Sequence, residues 1–176
     1  MSEVEAAVRR LQAGDRLALT PLYHLHAESA IRTAYLITRN KATAEDAVHE
    51  AFVQVIRTIS SLRDPAAFRP WFYRIVINAA KRLSRRRWFA PAFMAPEASP
   101  EEKVIGTEEI EAVQAALADL PALHREVLIL RYYADLSEAE IAEALGIAAG
   151  TVKSRLHRAK EALEARLRSR EGGWRR

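Results

Sequence analysis

The chain contains no cysteine, which excludes disulfides, thiol catalysis and metal sites with cysteine ligands. It also lacks long apolar runs. The longest stretch without Asp, Glu, Lys or Arg is residues 17–27, whereas a membrane-spanning helix needs roughly 20 apolar residues. No basic segment precedes an apolar one near residue 1, so we expect no signal peptide, no membrane insertion and a cytoplasmic location.

Charge is unevenly distributed along the 176 residues, although the formal net charge is only +4. Residues 69–87 contain seven basic and no acidic side chains, and residues 151–170 contain seven basic side chains with only Glu161 and Glu164. Two basic stretches this far apart suggest two contacts with one polyanion, the alternative being two solvated helix faces.

The apolar pattern has helical periodicity throughout most of the chain and no convincing period of two, which predicts an all-α fold. Pro91, Pro96 and Pro100 interrupt this pattern, so the stretch around them reads as a linker. We therefore predict two small helical domains, 1–88 and 108–170, a Pro-rich linker, 89–107, and a short tail, 171–176.

Three long helices are predicted in the first domain. Residues 17–38 and 43–60 form the first two, and Thr43 with Asp46 is a capping-box pair for the second. Asp64 followed by Pro65 indicates a capped turn. Pro70 is expected to open the third helix, which runs to about residue 87.

The third helix has two distinct faces at 100° per residue. The face predicted to be buried contains Phe72, Ile75, Val76, Ala79 and Leu83. The opposite face, here called the basic stripe, contains Trp71, Arg74, Asn78, Lys81 and Arg85. A ring that can stack on a base, an amide that can read a base edge and three cations suit an unpaired nucleic acid strand. Alternatively, Trp71 belongs to the core and the basic side chains serve only to keep the surface soluble.

The second domain contains the most specific pattern, LSEAEIAEALGIAAGTVKSRLHRAKEAL. Ser137 and Glu140 form a capping box, and Gly146 ends the helix in a left-handed turn. A basic helix follows almost at once, so the segment predicts a helix-turn-helix whose second helix contacts DNA. The expected inward residues are Ile141, Ala142, Leu145, Val152, Leu156, Ala159 and Leu163.

These residues resemble the extracytoplasmic-function (ECF) group of bacterial sigma factors, which consist of sigma regions 2 and 4. The region 2 resemblance lies in AEDAVHEAF and FRPWFYRIVINAAKRLSRRR, and the region 4 resemblance lies in LPALHREVLILRYYADLSEAEIAEALGIAAGTVKSRLHRAK. The second pattern alone also fits other helix-turn-helix regulators, but the two in this order are highly specific.

The resemblance implies a function in transcription initiation, with core RNA polymerase and promoter DNA as partners, an anti-sigma factor as regulator and no cofactor. The −10 element would contact Leu62, Arg63, Asp64, Phe68, Trp71, Arg74, Asn78, Lys81 and Arg85. The −35 element would contact Thr151, Lys153, Ser154, Arg155, His157 and Arg158. The clamp coiled coil of the largest polymerase subunit would bind a docking face made of Asp46, His49, Glu50 and Arg57. The flap of the second-largest subunit would bind region 4, and the linker would approach the RNA exit path.

Three residues depart from the family pattern. His49 replaces a usual Gln in the docking face, Pro70 replaces a small polar residue before Trp71, and Ala148 replaces a common capping residue. A missing cap costs about 1 kcal/mol.

Two other function classes fit the sequence less well. A helix-turn-helix regulator acting alone would need a ligand pocket, a dimer surface or a receiver in its first half, and no receiver pattern is present. An enzyme is disfavoured because His24, His26, His49, His124 and His157 have no metal-binding spacing, and no nucleotide-binding or hydrolase motif occurs.

Overall fold

The computed structural model describes residues 2–89 and 108–173, and those residues are helical with no strand. The helices are α1 (Glu3–Gln12), α2 (Leu19–Thr38), α3 (Lys41–Thr58), α4 (Phe68–Phe89), α5 (Glu108–Ala118), α6 (Ala122–Tyr132), α7 (Glu138–Leu145) and α8 (Ala149–Gly173). Short 3₁₀ turns precede α2 and α4. The predicted all-α fold is confirmed, and none of the described helices is long and apolar enough to cross a membrane.

Local hydrogen bonds explain where several helices begin, and two predicted starts are wrong. Helix α3 is capped by Asn40, whose side chain accepts from the Thr43 amide at 2.8 Å, so Thr43 is not the cap. Helix α4 begins at Phe68 rather than at Pro70. Pro70 is tolerated in the first turn because amides there have no intrahelical acceptor. Helix α1, which Ser2 caps, was not predicted.

The first domain is a helical bundle in which α2, α3 and α4 pack against one another and α1 packs on α2. Aromatic rings fill its centre: Phe72 lies 4.8 Å from Phe52 and 5.7 Å from Phe68, measured between ring centroids. Each such ring, once fully buried, contributes about 1.5–3 kcal/mol through the hydrophobic effect. The predicted inner face of α4 is confirmed at Phe72, Ile75, Val76 and Ala79, whereas Leu83 is half-buried.

The second domain packs α5, α6 and α7 around α8. Val152, Leu156 and Ala159 are buried as predicted, and Leu163 is half-buried. In α7, Ile141 is buried, but Ala142 and Leu145 are only half-buried, and Ala144 is buried instead.

The two domains pack against each other, with α7 on α4 and both α5 and α6 on α2. Their buried apolar residues form one continuous core. This packing accompanies the burial of a second face of α4, made of Tyr73, Ile77 and Ala80, which the helical wheel did not predict. The Tyr73 hydroxyl donates to Ser29 Oγ at 2.9 Å, and the Ser29 hydroxyl in turn donates to the carbonyl of Tyr133 at 2.8 Å. The predicted linker lies outside the described residues except for Phe89.

His26 in α2 is a buried titratable group at the centre of the first domain. Its side chain is packed 5.6 Å from the ring of Phe68 and 5.8 Å from that of Phe72, and the residue is 6% exposed. Burial, and to a smaller extent the charge of Arg69, lowers the pKa of His26 from 6.5 to about 4. The imidazole is therefore neutral in the folded protein at neutral pH.

This histidine should make folding stability depend on pH between about 6.5 and 4. In that window the unfolded chain binds a proton that the folded protein rejects, so stability falls as pH falls, by up to about 1.4 kcal/mol per unit. Urea denaturation at several pH values should show a shallower acid loss for His26→Leu than for the native chain. The control His24→Leu, at an exposed position, should retain the native slope. Equal slopes for all three proteins would contradict the assignment.

Candidate nucleic-acid interface

The basic stripe occupies one side of α4, as the wheel predicted. Arg74, Asn78 and Arg85 are exposed, so these side chains are free to approach a ligand. Trp71 is half-buried and lies 6.1 Å from the Phe68 ring, which leaves part of the indole available for stacking. Lys81 is also half-buried, because its ammonium group contacts the second domain.

The segment before α4 exposes fewer of the side chains predicted to contact the −10 element than the sequence suggested. Leu62 is 7% exposed and Phe68 is fully buried, so neither side chain reaches the surface in this structure. Both were predicted to contact the −10 element. Here they hold the loop on the core instead, because apolar side chains gain more from burial than from solvent. Arg63 and Asp64 are exposed, and Asp64 accepts from the Ala66 amide at 3.0 Å.

Helices α7 and α8 form the predicted helix-turn-helix. The Ser137–Glu140 capping box is complete, with the Glu140 carboxylate accepting from the Ser137 amide at 2.8 Å. Gly146 ends α7 at φ 65°, a left-handed conformation that side chains with a Cβ rarely adopt. This turn sets the direction in which α8 leaves, and therefore which residues of α8 face outward.

The outward face of α8 presents Lys153, His157 and Arg158, all exposed. Thr151, Ser154 and Arg155 are half-buried, and the Ser154 hydroxyl donates to the Thr151 carbonyl at 3.1 Å. His157 Nε2 lies 3.7 Å from a carboxylate oxygen of Glu161 on the next turn. The six residues predicted to contact the −35 element thus lie on one helix, with three of them fully presented.

A concave surface beside α8 was missed by the sequence reasoning. It is lined by Arg131, Tyr132, Glu138, Lys153, Leu156, His157 and Lys160. Tyr132 is 57% exposed, and Lys160 Nζ lies 5.6 Å from its ring centroid in a cation–π contact. Helical periodicity marks Tyr132 as an end residue of α6 and gives no indication that it meets α8.

The docking face lies on α3. Asp46, His49 and Arg57 are exposed. Glu50 is half-buried and forms an ion pair with Arg82 of α4. The exposed apolar side chain of Ile56, 39% accessible, lies on the same helix.

Comparison with known families decides between the alternatives. Residues 22–90 match the model of Sigma-70 region 2, and residues 110–163 match that of Sigma-70, region 4. The chain is 36% identical over 156 residues to the ECF RNA polymerase sigma factor SigM of Mycobacterium tuberculosis, covering 88% of this chain and 79% of that one. This chain belongs to the ECF sigma factors.

Other relatives agree with that membership of the ECF sigma factors. The chain is 30% identical to the ECF RNA polymerase sigma-E factor of Haemophilus influenzae, with 93% of this chain and 94% of that protein covered. It is 29% identical to the ECF RNA polymerase sigma factor SigW of Bacillus subtilis, covering 94% and 97%. Among solved structures, CnrH in complex with the cytosolic domain of CnrY has the same fold, with a TM-score of 0.77 at 24% identity over 96% of this chain and 99% of that one.

The family models place the helix-turn-helix in region 4 and the basic stripe in region 2 of this sigma factor. The two regions are the two domains that pack against each other in the structure. Among the described residues, no group of three His, Asp or Glu side chains is arranged to hold a metal ion. Sigma factors are transcription initiation factors, so membership of this family favours that function over a helix-turn-helix regulator that acts alone.

The left-handed conformation of Gly146, in the turn between α7 and α8, gives a testable prediction about stability. We expect Gly146→Ala to destabilise the sigma factor by about 1–2 kcal/mol, because alanine is strained at φ 65° although open space surrounds the position. Gly146→Asn should cost less, since asparagine tolerates this conformation. The matched control is Gly150→Ala in α8, where open space also surrounds the Cβ and φ is not positive. It should be neutral or stabilising. Thermal unfolding measures all three, and equal effects at 146 and 150 would contradict the prediction.

Proposed function

We propose that this ECF sigma factor uses two separate surfaces on promoter DNA, with α8 reading duplex at the −35 element and the basic stripe of α4 holding unpaired DNA at the −10 element. The observation that carries this proposal is the chemistry of the two exposed faces. One offers cations and short polar groups on a helix-turn-helix. The other offers an amide and cations beside a partly accessible indole.

Duplex reading by α8 is supported by where its exposed groups lie. Lys153 and His157 stand one turn apart, and Arg158 projects from a neighbouring side of the same helix within its first ten residues. A major groove admits one helix, and arginine and lysine there donate to guanine edges or to phosphates. Thr151, Ser154 and Arg155 complete the proposed −35 contact set.

Capture of an unpaired base by α4 is supported by the arrangement of Trp71 and Asn78. Both belong to the basic stripe, Asn78 is exposed, and the Trp71 ring is anchored from below by Phe68. An anchored ring loses little side-chain entropy when a base stacks on it. Arg74 and Arg85 remain exposed for phosphates, and Arg63 and Asp64, in the segment before α4, are exposed as well.

The remaining roles follow from the docking face and from the family. We assign Asp46, His49, Glu50 and Arg57 to the clamp coiled coil of core RNA polymerase, and region 4 to the flap of the second-largest subunit. CnrH is bound to the cytosolic domain of CnrY, and another solved sigma factor, RpoE of Bartonella quintana, is bound to the anti-sigma factor NepR. An anti-sigma partner in the cytoplasm is proposed here on that basis, and no catalytic activity is proposed. The linker role concerns residues outside those described.

The decisive experiment is run-off transcription from genomic fragments with purified core polymerase, with and without this protein. Transcripts that start at defined positions only in its presence support the function, and their 5′ ends identify a promoter for further templates. Sequence-specific, tight binding of the protein alone to duplex DNA at physiological salt, with no effect on transcription, would favour the lone regulator.

The two DNA surfaces should respond differently to pre-melting of the template. Trp71→Ala should be partly rescued on a template already open at the −10 region, because stacking that traps a melted base is no longer needed to drive melting. Arg158→Ala should show no rescue, since its duplex contact is unaffected by the bubble. Loss of a base contact or of stacking costs about 1–3 kcal/mol, so both variants should give a low yield of open complex on linear duplex. Open-complex yield on the two templates is the measurement.

Two further variants make this comparison specific. Asn78→Ala should stay defective at a single base position, because an amide reads a base edge whereas stacking is tolerant of sequence. Arg9→Ala removes an exposed basic side chain of α1 that belongs to neither proposed contact set, and it should behave like the native chain. Equal rescue of Trp71→Ala and Arg158→Ala would show that the proposed division between the two surfaces is wrong.

A further inference from the structure

An ion pair joins the two domains at the basic stripe. Lys81 Nζ of α4 lies 2.8 Å from a carboxylate oxygen of Glu126, which α6 contributes from the second domain. The Glu126 side chain is 7% exposed and that of Lys81 is 35% exposed. A carboxylate removed from water to this extent needs a cationic partner, and here that partner is one of the side chains proposed to contact DNA.

Arg69, two residues before the first residue of the stripe on α4, makes a second polar contact between the domains. Its Nη2 donates to the carbonyls of Ala134 at 3.0 Å and Asp135 at 3.1 Å. Its Nη1 lies 3.9 Å from a carboxylate oxygen of Glu140. Asp135 has a φ of 52°, a left-handed conformation that is uncommon for residues other than glycine. The Arg69 guanidinium therefore hydrogen-bonds to the backbone of an unusual turn. Two basic side chains of α4, Arg69 and Lys81, thus contact region 4.

The domain contact affects the two proposed DNA surfaces unequally. Helix α8 packs on α5, α6 and α7 of its own domain and keeps Lys153, His157 and Arg158 exposed. Region 2 meets α5, α6, α7 and the turn at residues 133–135 instead. In this arrangement the −35 surface is accessible while part of the −10 surface is occupied by protein.

We propose that Arg69, Lys81 and Glu126 form an interdomain latch that holds the free sigma factor closed and withholds Lys81 from the −10 element. This inference rests on the proposed function, because it takes the stripe to be the −10 surface. A DNA phosphate replaces Glu126 as the partner of Lys81 only if Glu126 regains water, since a buried carboxylate left unpaired is strongly unfavourable. Release of Lys81 is therefore coupled to separation of the domains, which polymerase docking would stabilise.

Domain closure is measurable without polymerase or DNA. Because the chain has no cysteine, Gln54→Cys on α3 and Ala165→Cys on α8 introduce two unique, exposed labelling sites, one in each domain. Single-molecule energy transfer between dyes at these sites should show a predominantly closed population in the otherwise native chain. Glu126→Gln and Lys81→Glu should each shift it to longer distances, and the exchange Lys81→Glu with Glu126→Lys should restore closure.

Glu143→Gln is the matched control, because it removes an exposed carboxylate from α7 and should leave the closed population unchanged. Circular dichroism checks that each variant is folded. Should Glu126→Gln fail to fold, Lys81→Glu decides the test alone, since Lys81 is partly in solvent and its helix has a complete core face. A native chain that is already open, or unchanged transfer in the folded latch variants, would overturn the latch.

Occlusion of the stripe has its own readout, the affinity for a fluorescein-labelled single-stranded DNA oligonucleotide measured by anisotropy. Arg74, Asn78 and Arg85 are already exposed in the closed form, so opening adds the Lys81 contact to a surface that is partly available. Glu126→Gln should therefore bind more tightly than the native chain, and its affinity should fall more steeply with salt, by about one phosphate contact. Unchanged affinity in a variant shown to be open would overturn occlusion. Failure of every protein to bind the oligonucleotide would instead overturn the assignment of the stripe to DNA, while the energy-transfer result on the latch would stand.

Discussion

Glu126 places the strongest single constraint on how this molecule is assembled. Its carboxylate lies in the apolar layer between the two domains, where a charge without a partner would be strongly unfavourable. The cation that satisfies it comes from α4, so one contact of 2.8 Å links α4 to α6. The packing of α7 on α4 and the hydrogen bonds of Arg69 are consistent with the same arrangement. Replacing this contact by solvent requires the two domains to separate.

The three sides of helix α4 have three different environments. One side, with Phe72 and Val76, belongs to the core of the first domain. A second side, with Tyr73 and Ile77, is buried as well, and Tyr73 leads through Ser29 to the backbone of the second domain. The third side is the basic stripe. Since Lys81 lies at the border between the second and third sides, domain packing and the proposed binding of nucleic acid would compete for the same side chain.

The two proposed DNA surfaces differ in chemistry in the way their targets differ. Duplex DNA presents base edges in a groove, and α8 meets it with cations and short polar groups on a helix that a tight turn holds in place. Unpaired DNA presents base faces, and α4 meets it with an anchored indole and an amide. Family membership as an ECF sigma factor accounts for the presence of both surfaces in one chain.

The sequence by itself determined the features that depend on contacts within a few residues. Helical periodicity predicted the all-α fold, the core residues Phe72 and Val152, and the outward direction of Arg74 and Asn78. Local hydrogen-bonding groups predicted the Ser137–Glu140 box and the turn at Gly146. The cap of α3 was predicted at Thr43, and this prediction is wrong because Asn40, three residues earlier, caps the helix. Only the tertiary structure decided that Leu62 and Phe68 are buried, that Tyr132 meets Lys160 and that Lys81 pairs with Glu126. These outcomes depend on side chains far apart in the chain, and the periodicity of one helix contains no information about which other helix will cover it.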